Sequence, residues 1–138
     1  MTVEHTCFVY GTLTDPARVE AVVGSADAAH LGPAILDGLH RVEGEYPTLA
    51  PGGSVEGSLL AVDDPGLDAL DEYEGVDRGL YVRVAVSCSH PEVDADCVWT
   101  YVGEPTRLDA AAEWPGDRSF ESRVQDGVAD CTVVGPRS

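Results

Sequence analysis

The chain has 138 residues, 43% of them apolar, and 25 acidic side chains against 8 basic ones, for a formal net charge of −17. That length suits one domain, residues 1–138, around one core. The charge excludes nucleic-acid and anionic-membrane partners, because phosphates would be repelled. No stretch approaches the roughly 18 apolar residues of a membrane span. Met1-Thr2-Val3-Glu4-His5 lacks the basic and apolar regions of a secretion signal, so a cytoplasmic location is expected. All 8 basic residues are Arg. A surface this acidic is expected of a halophilic protein, in which salt screens the self-repulsion.

Thr6 to Tyr10 is apolar and rich in β-formers, which predicts a buried strand ended by Gly11. Asp15-Pro16 opens a helix, with Asp as N-cap, Pro at the first helical position and Val19, Val22 and Val23 as the apolar stripe. Residues 29–42 read as one or two strands, and Pro47 to Gly53 as a turn-rich connection. Val55 to Val62 reads as the next strand. Asp64-Pro65 repeats the helix-start signal and leads into Leu67 to Glu74, stopped by Gly75. Residues 80–88 and 96–102 alternate as two strands of a hairpin. Leu80, Val82, Val84 and Val86 share one face of the first, and Tyr81, Arg83 and Ala85 the other. After Gly103 a short helix over 119–126 and a short strand over 131–134 are expected, in a region that would shape a pocket. Short strands with two or three short helices predict an α+β fold built on a small barrel or a strongly curved sheet.

Cys7, Cys88, Cys97 and Cys131 form no C-x-x-C pair and have no His at metal-ligand spacing. Cys7 reads as a core residue. Cys88 and Cys97 read as thiols facing each other across the hairpin. Neither a metal nor a disulfide is expected.

Three constellations could carry chemistry. Tyr10-Gly11-Thr12-Leu13 is a strand end whose glycine lets the backbone approach a ligand, with successive N–H groups able to hold a carboxylate or oxyanion. Taken alone, it is more simply an ordinary strand-to-helix turn. Glu74 falls in helical phase with Leu67 and Leu70, so it should face the core, where an unpaired carboxylate is costly. A used carboxylate, a frayed helix end and a core pair with Arg83 all fit that phase. Asp71, three residues earlier, reads as a surface or capping residue. A glycosidase-like pair of Asp71 with Glu74 is disfavoured, because residues three apart on one helix flank a substrate poorly. Among the aromatics, Tyr81 and Tyr101 lie on neighbouring strands and could share a surface.

Taken in order, these pieces resemble the gamma-glutamylcyclotransferase-like family. Phe8-Val9-Tyr10-Gly11-Thr12-Leu13 is similar to its Tyr-Gly-x-Leu signature, and Tyr46-Pro47 to a mid-chain element. Val55-Glu56-Gly57-Ser58-Leu59 is similar to its Val-x-Gly-x-Leu strand. Leu70 to Gly75, followed by Tyr81-Val82-Arg83, is similar to the segment carrying its catalytic glutamate. The resemblance implies an α+β fold, a small mixed β-barrel with flanking short helices and a cavity at its mouth, and release of an amine or amino acid from a small gamma-glutamyl compound with formation of 5-oxoproline, without a cofactor. It implies Glu74 as general acid/base, Tyr10 with the Gly11, Thr12 and Leu13 amides as the holder of the glutamyl part, and Tyr81 and Tyr101 as pocket residues. The chain departs from the family in Thr14-Asp15, where many relatives carry a basic residue. A gamma-glutamylamine substrate and a non-catalytic binding module are the rival readings.

Overall fold

The computed structural model describes residues 5–10, 15–23, 28–44, 47–90, 93, 96–108, 110, 112, 114 and 116–135. Its elements in chain order are β1 (His5–Val9), α1 (Pro16–Val23), β2 (Ala28–Val42), β3 (Thr48–Val62), α2 (Asp64–Glu74), β4 (Tyr81–Ser89), β5 (Cys97–Gly103), α3 (Pro105–Leu108), α4 (Phe120–Gly127) and β6 (Thr132–Val134). The strands close into a barrel in the order β1-β3-β2-β6-β4-β5. Two contacts are parallel, β1 with β5 and β4 with β6, and the rest are antiparallel. The expected α+β fold, a mixed barrel with short helices on its flanks, is the one observed.

Strand alternation divides the apolar residues between two clusters. Phe8, Leu36, Leu59, Val84, Val98 and Val133 belong to a core to which all six strands contribute. Cys7 and Val9, on either side of Phe8, join Leu60, Val62 and Tyr101 under the helices, against Val19 of α1 and Leu67 and Leu70 of α2. A strand with both faces buried reads as a continuous apolar run, as β1 does. Gly57 is required by this packing. A Cβ there would lie 2.2 Å from the Val9 carbonyl oxygen and 2.8 Å from the Phe8 ring.

Four expectations are corrected. The segment from Pro47 to Gly53 is not a connection, because β3 begins at Thr48, paired with Val42. Gly52 and Gly53 have φ of 103° and 71°. They sit where the register shifts between Asp37 and Leu39, so these glycines bend a long strand rather than end it. The cap of α2 is Asp63, not Asp64. Its side chain accepts from the Gly66 N–H at 2.9 Å, while Asp64 lies in the first turn and pairs with His5. Cys88 and Cys97 do not face each other, because Ser87 is opposite Cys97 and a one-residue offset puts neighbouring side chains on opposite faces.

The fourth correction concerns the residues after Gly103, expected to shape the pocket. Among the described residues, none beyond Tyr101 lines the cavity. They complete the barrel instead. Short β6 fits between β2 and β4, pairing antiparallel with Ile35 to Asp37 and parallel with Ser87 to Ser89. Trp114, Val124 and Val128 add to the same core, and the Trp114 indole N–H donates to the Leu49 carbonyl at 3.1 Å.

Candidate active site

A cavity of about 240 Å³ opens where β1 ends, α2 stops and β4 begins. Phe8, Val9 and Tyr10 form one wall, and Tyr73, Glu74 and Arg78 another. Pro47, Leu80, Tyr81 and Tyr101 complete it. Its size is below the roughly 300–1,000 Å³ of drug-sized sites, and its apolar walls with a few polar groups are those of a small-ligand pocket.

Glu74 is the last residue of α2. The helix is started by the Asp63 cap and ended by Gly75, whose φ of 71° is left-handed and whose N–H returns to the last carbonyls. That stop fixes where Glu74 lies, on the side of buried Leu67 and Leu70. Burial pushes its carboxyl up from 4.5 to about 7, because a low-dielectric wall disfavours the charged form. Among the described residues it has no ion-pair partner. The core pair with Arg83 does not form.

Arg83 instead meets Asp71, Nη1 to Oδ2, at 2.7 Å. The other oxygen of Asp71 accepts from the Tyr101 hydroxyl at 2.7 Å. Arg83 and Tyr101 are register partners on β4 and β5, so one carboxylate can take both donors. The guanidinium carbon also sits 4.5 Å from the Trp99 ring centroid, within cation–π range. Asp71 is therefore neither a surface nor a capping residue, but the tie that holds α2 to the hairpin. The same commitment removes it from any carboxylate pair with Glu74.

Tyr10, Tyr81 and Tyr101 all line the cavity. Their hydroxyls are engaged with the protein. Tyr10 donates to the Tyr101 carbonyl, and Tyr81 to the Pro47 carbonyl at 2.7 Å. Burial raises the Tyr10 phenol well above its ordinary value, with smaller contributions from Tyr81 and Glu74. Burial likewise raises Tyr101, assisted by Cys7 and Asp71. Both therefore remain neutral donors, and the tyrosines offer a ligand ring surface more than free hydroxyls. Gly11, Thr12 and Leu13 lie outside the described residues, as does Tyr46.

Sequence reasoning missed Asp71 and Arg78. Asp71 could have been found by pairing the hairpin inward from its loop, which sets Arg83 opposite Tyr101. Arg78 had no signal, because its place depends on the turn after Gly75. Among the described residues no cluster of three or more His, Cys, Asp or Glu could hold a metal ion, and no helix is long and apolar enough to cross a membrane.

Residues 7–119 match the family model described as gamma-glutamyl cyclotransferase, AIG2-like. An Arabidopsis thaliana protein provisionally named as a gamma-glutamylcyclotransferase is 36% identical, over 62% of this chain and 51% of its own. The chain thus spans about half the length of that curated relative. A solved Arabidopsis thaliana structure matches at a TM-score of 0.55 with 28% identity, covering 88% of this chain and 75% of the other. A Mus musculus AIG2-like protein matches at a TM-score of 0.58 with 24% identity, over 86% and 94% of the two chains. A structure named gamma-glutamyl cyclotransferase reaches a TM-score of 0.61 at 15% identity, over 89% and 97%. The last two similarities concern the fold alone.

Proposed function

The chain belongs to the gamma-glutamyl cyclotransferase, AIG2-like family, and from that premise we propose that it cyclises a small gamma-glutamyl compound to 5-oxoproline, with Glu74 as general acid/base. The observation that carries this reading is a half-buried carboxyl, pushed up to about 7, in the wall of a small cavity. A group that must take a proton and return it works best when both forms are populated near the working pH.

Glu74 accepts a proton from the substrate's alpha-amino nitrogen as that nitrogen, entering as the free amine, attacks the gamma-carbonyl carbon. The carbon–nitrogen bond to the departing amine then breaks, and Glu74 returns the proton to that nitrogen. One proton is taken and one is given back. The products are 5-oxoproline and a free amine or amino acid. The Gly11 to Leu13 amides, following Tyr10, would hold the glutamyl part. The rings of Tyr10, Tyr81 and Tyr101 line the cavity and lower the polarity around the reacting atoms.

The test is Glu74→Gln with 5-oxoproline measured directly on a panel of gamma-glutamyl amino acids and amines. Turnover should fall at least about 100-fold, the lower bound of general acid–base contributions, with the fold retained by circular dichroism. Unchanged turnover removes Glu74 from the chemistry. Saturable binding by calorimetry with no 5-oxoproline from the wild type would favour the non-catalytic reading.

A further inference from the structure

We infer that Arg78 selects the departing half of the substrate, and that this half carries a carboxylate, as a free amino acid does and a simple amine does not. The inference rests on the cyclisation reading and deepens it.

Arg78 is the cation among the described residues that line the cavity. It is exposed, at the rim beside Tyr73, whose exposure is 38%. Among the described residues it has no ion-pair partner. Its main chain is nonetheless fixed. The Arg78 and Leu80 N–H groups both donate to the Gly75 carbonyl, at 3.0 and 3.1 Å, so the chain folds back sharply after Glu74. A Cβ on Gly75 would lie 2.8 Å from Nη2 and 3.2 Å from Nε of Arg78. The guanidinium therefore rests on the backbone next to the residue proposed to move the proton. A planar fork at that place matches a carboxylate in geometry as well as charge.

Two carboxylates are conceivable partners, one on the glutamyl part and one on the departing amino acid. Each lies two bonds from a nitrogen that Glu74 must serve, so reach alone does not separate them. Location does. In the proposed reading the glutamyl part lies on the Tyr10 wall, and Arg78 stands on the other wall with Glu74, which must hand its proton to the departing nitrogen. Charge points the same way. A gamma-glutamyl amino acid carries one more negative charge than the matching gamma-glutamylamine as each approaches a chain of net charge −17. A cation at the entrance offsets a repulsion that is greater for the first class.

The experiment compares gamma-glutamyl-alanine with gamma-glutamyl-alaninamide, which differ in one charge at constant shape, in the wild type, Arg78→Gln and Arg78→Lys. The ratio of kcat/KM, acid over amide, should exceed one in the wild type and fall about tenfold in Arg78→Gln, the loss of one charge-assisted contact. Arg78→Lys should keep an intermediate ratio. An unchanged ratio overturns the inference, including the case in which both substrates slow equally, which would put Arg78 on the glutamyl carboxylate. If the wild type makes no 5-oxoproline from either compound, the cyclisation reading fails separately. The two ligands are then titrated calorimetrically, and a Kd ratio that shifts in Arg78→Gln sustains the assignment. An unshifted ratio, or no binding, ends it.

Discussion

A carboxyl that ionises at 4.5 in an unfolded chain and at about 7 in the folded one trades stability for reactivity. Between those values the folded chain holds more protons than the unfolded chain, so the unfolding free energy falls as pH rises. The penalty is absent below pH 4.5 and complete above about 7, and reaches at most about 3 kcal/mol. Glu74→Gln removes it. Denaturant melts should show the variant gaining on the wild type as pH rises from 5 to 8, and a gap that stays constant would refute the burial. The rate limb has the opposite direction, since 5-oxoproline formation by the wild type should rise with pH as Glu74 ionises near 7. The placement of Glu74 was legible from its phase with Leu67 and Leu70. The role of Asp71 was not, because one residue's phase does not reveal two donors arriving from other strands.

Asp71 ties α2 to the hairpin of β4 and β5 through Arg83 and Tyr101. Asp71→Ala leaves a guanidinium and a phenol without their acceptor at a site about one-quarter exposed. Because solvent moderates the loss, equilibrium unfolding should show a cost of about 1–3 kcal/mol. With its anchor gone the end of α2 shifts, so turnover should fall as well, and a variant of wild-type stability and rate would show that α2 is held by Leu67 and Leu70 alone. The hairpin itself was legible, since alternation is the clearest signal a half-buried strand gives. The start of β3 was not. Pro51, Gly52 and Gly53 read locally as a turn, and only pairing with β2 turns them into a bend within a strand. The two glycines at positive φ serve the bend, which explains why residue-by-residue reading misjudged them.

An all-Arg basic complement and a net charge of −17 make self-repulsion a property of the whole surface rather than of any contact. Melting temperature should rise from low to molar salt, and a flat response would discard the halophilic reading. A barrel or strongly curved sheet was legible from the number and length of strands, but the closure that decides between them was not. Three residues of β6 are too few to announce themselves, and their partners lie about fifty and one hundred positions upstream in the chain. That closure has a consequence for synthesis. Until Thr132 to Val134 have emerged from the ribosome, β2 and β4 each present an unpaired edge, and such edges readily recruit strands from other chains. The nascent chain thus stays exposed to aggregation until β6 has emerged and paired.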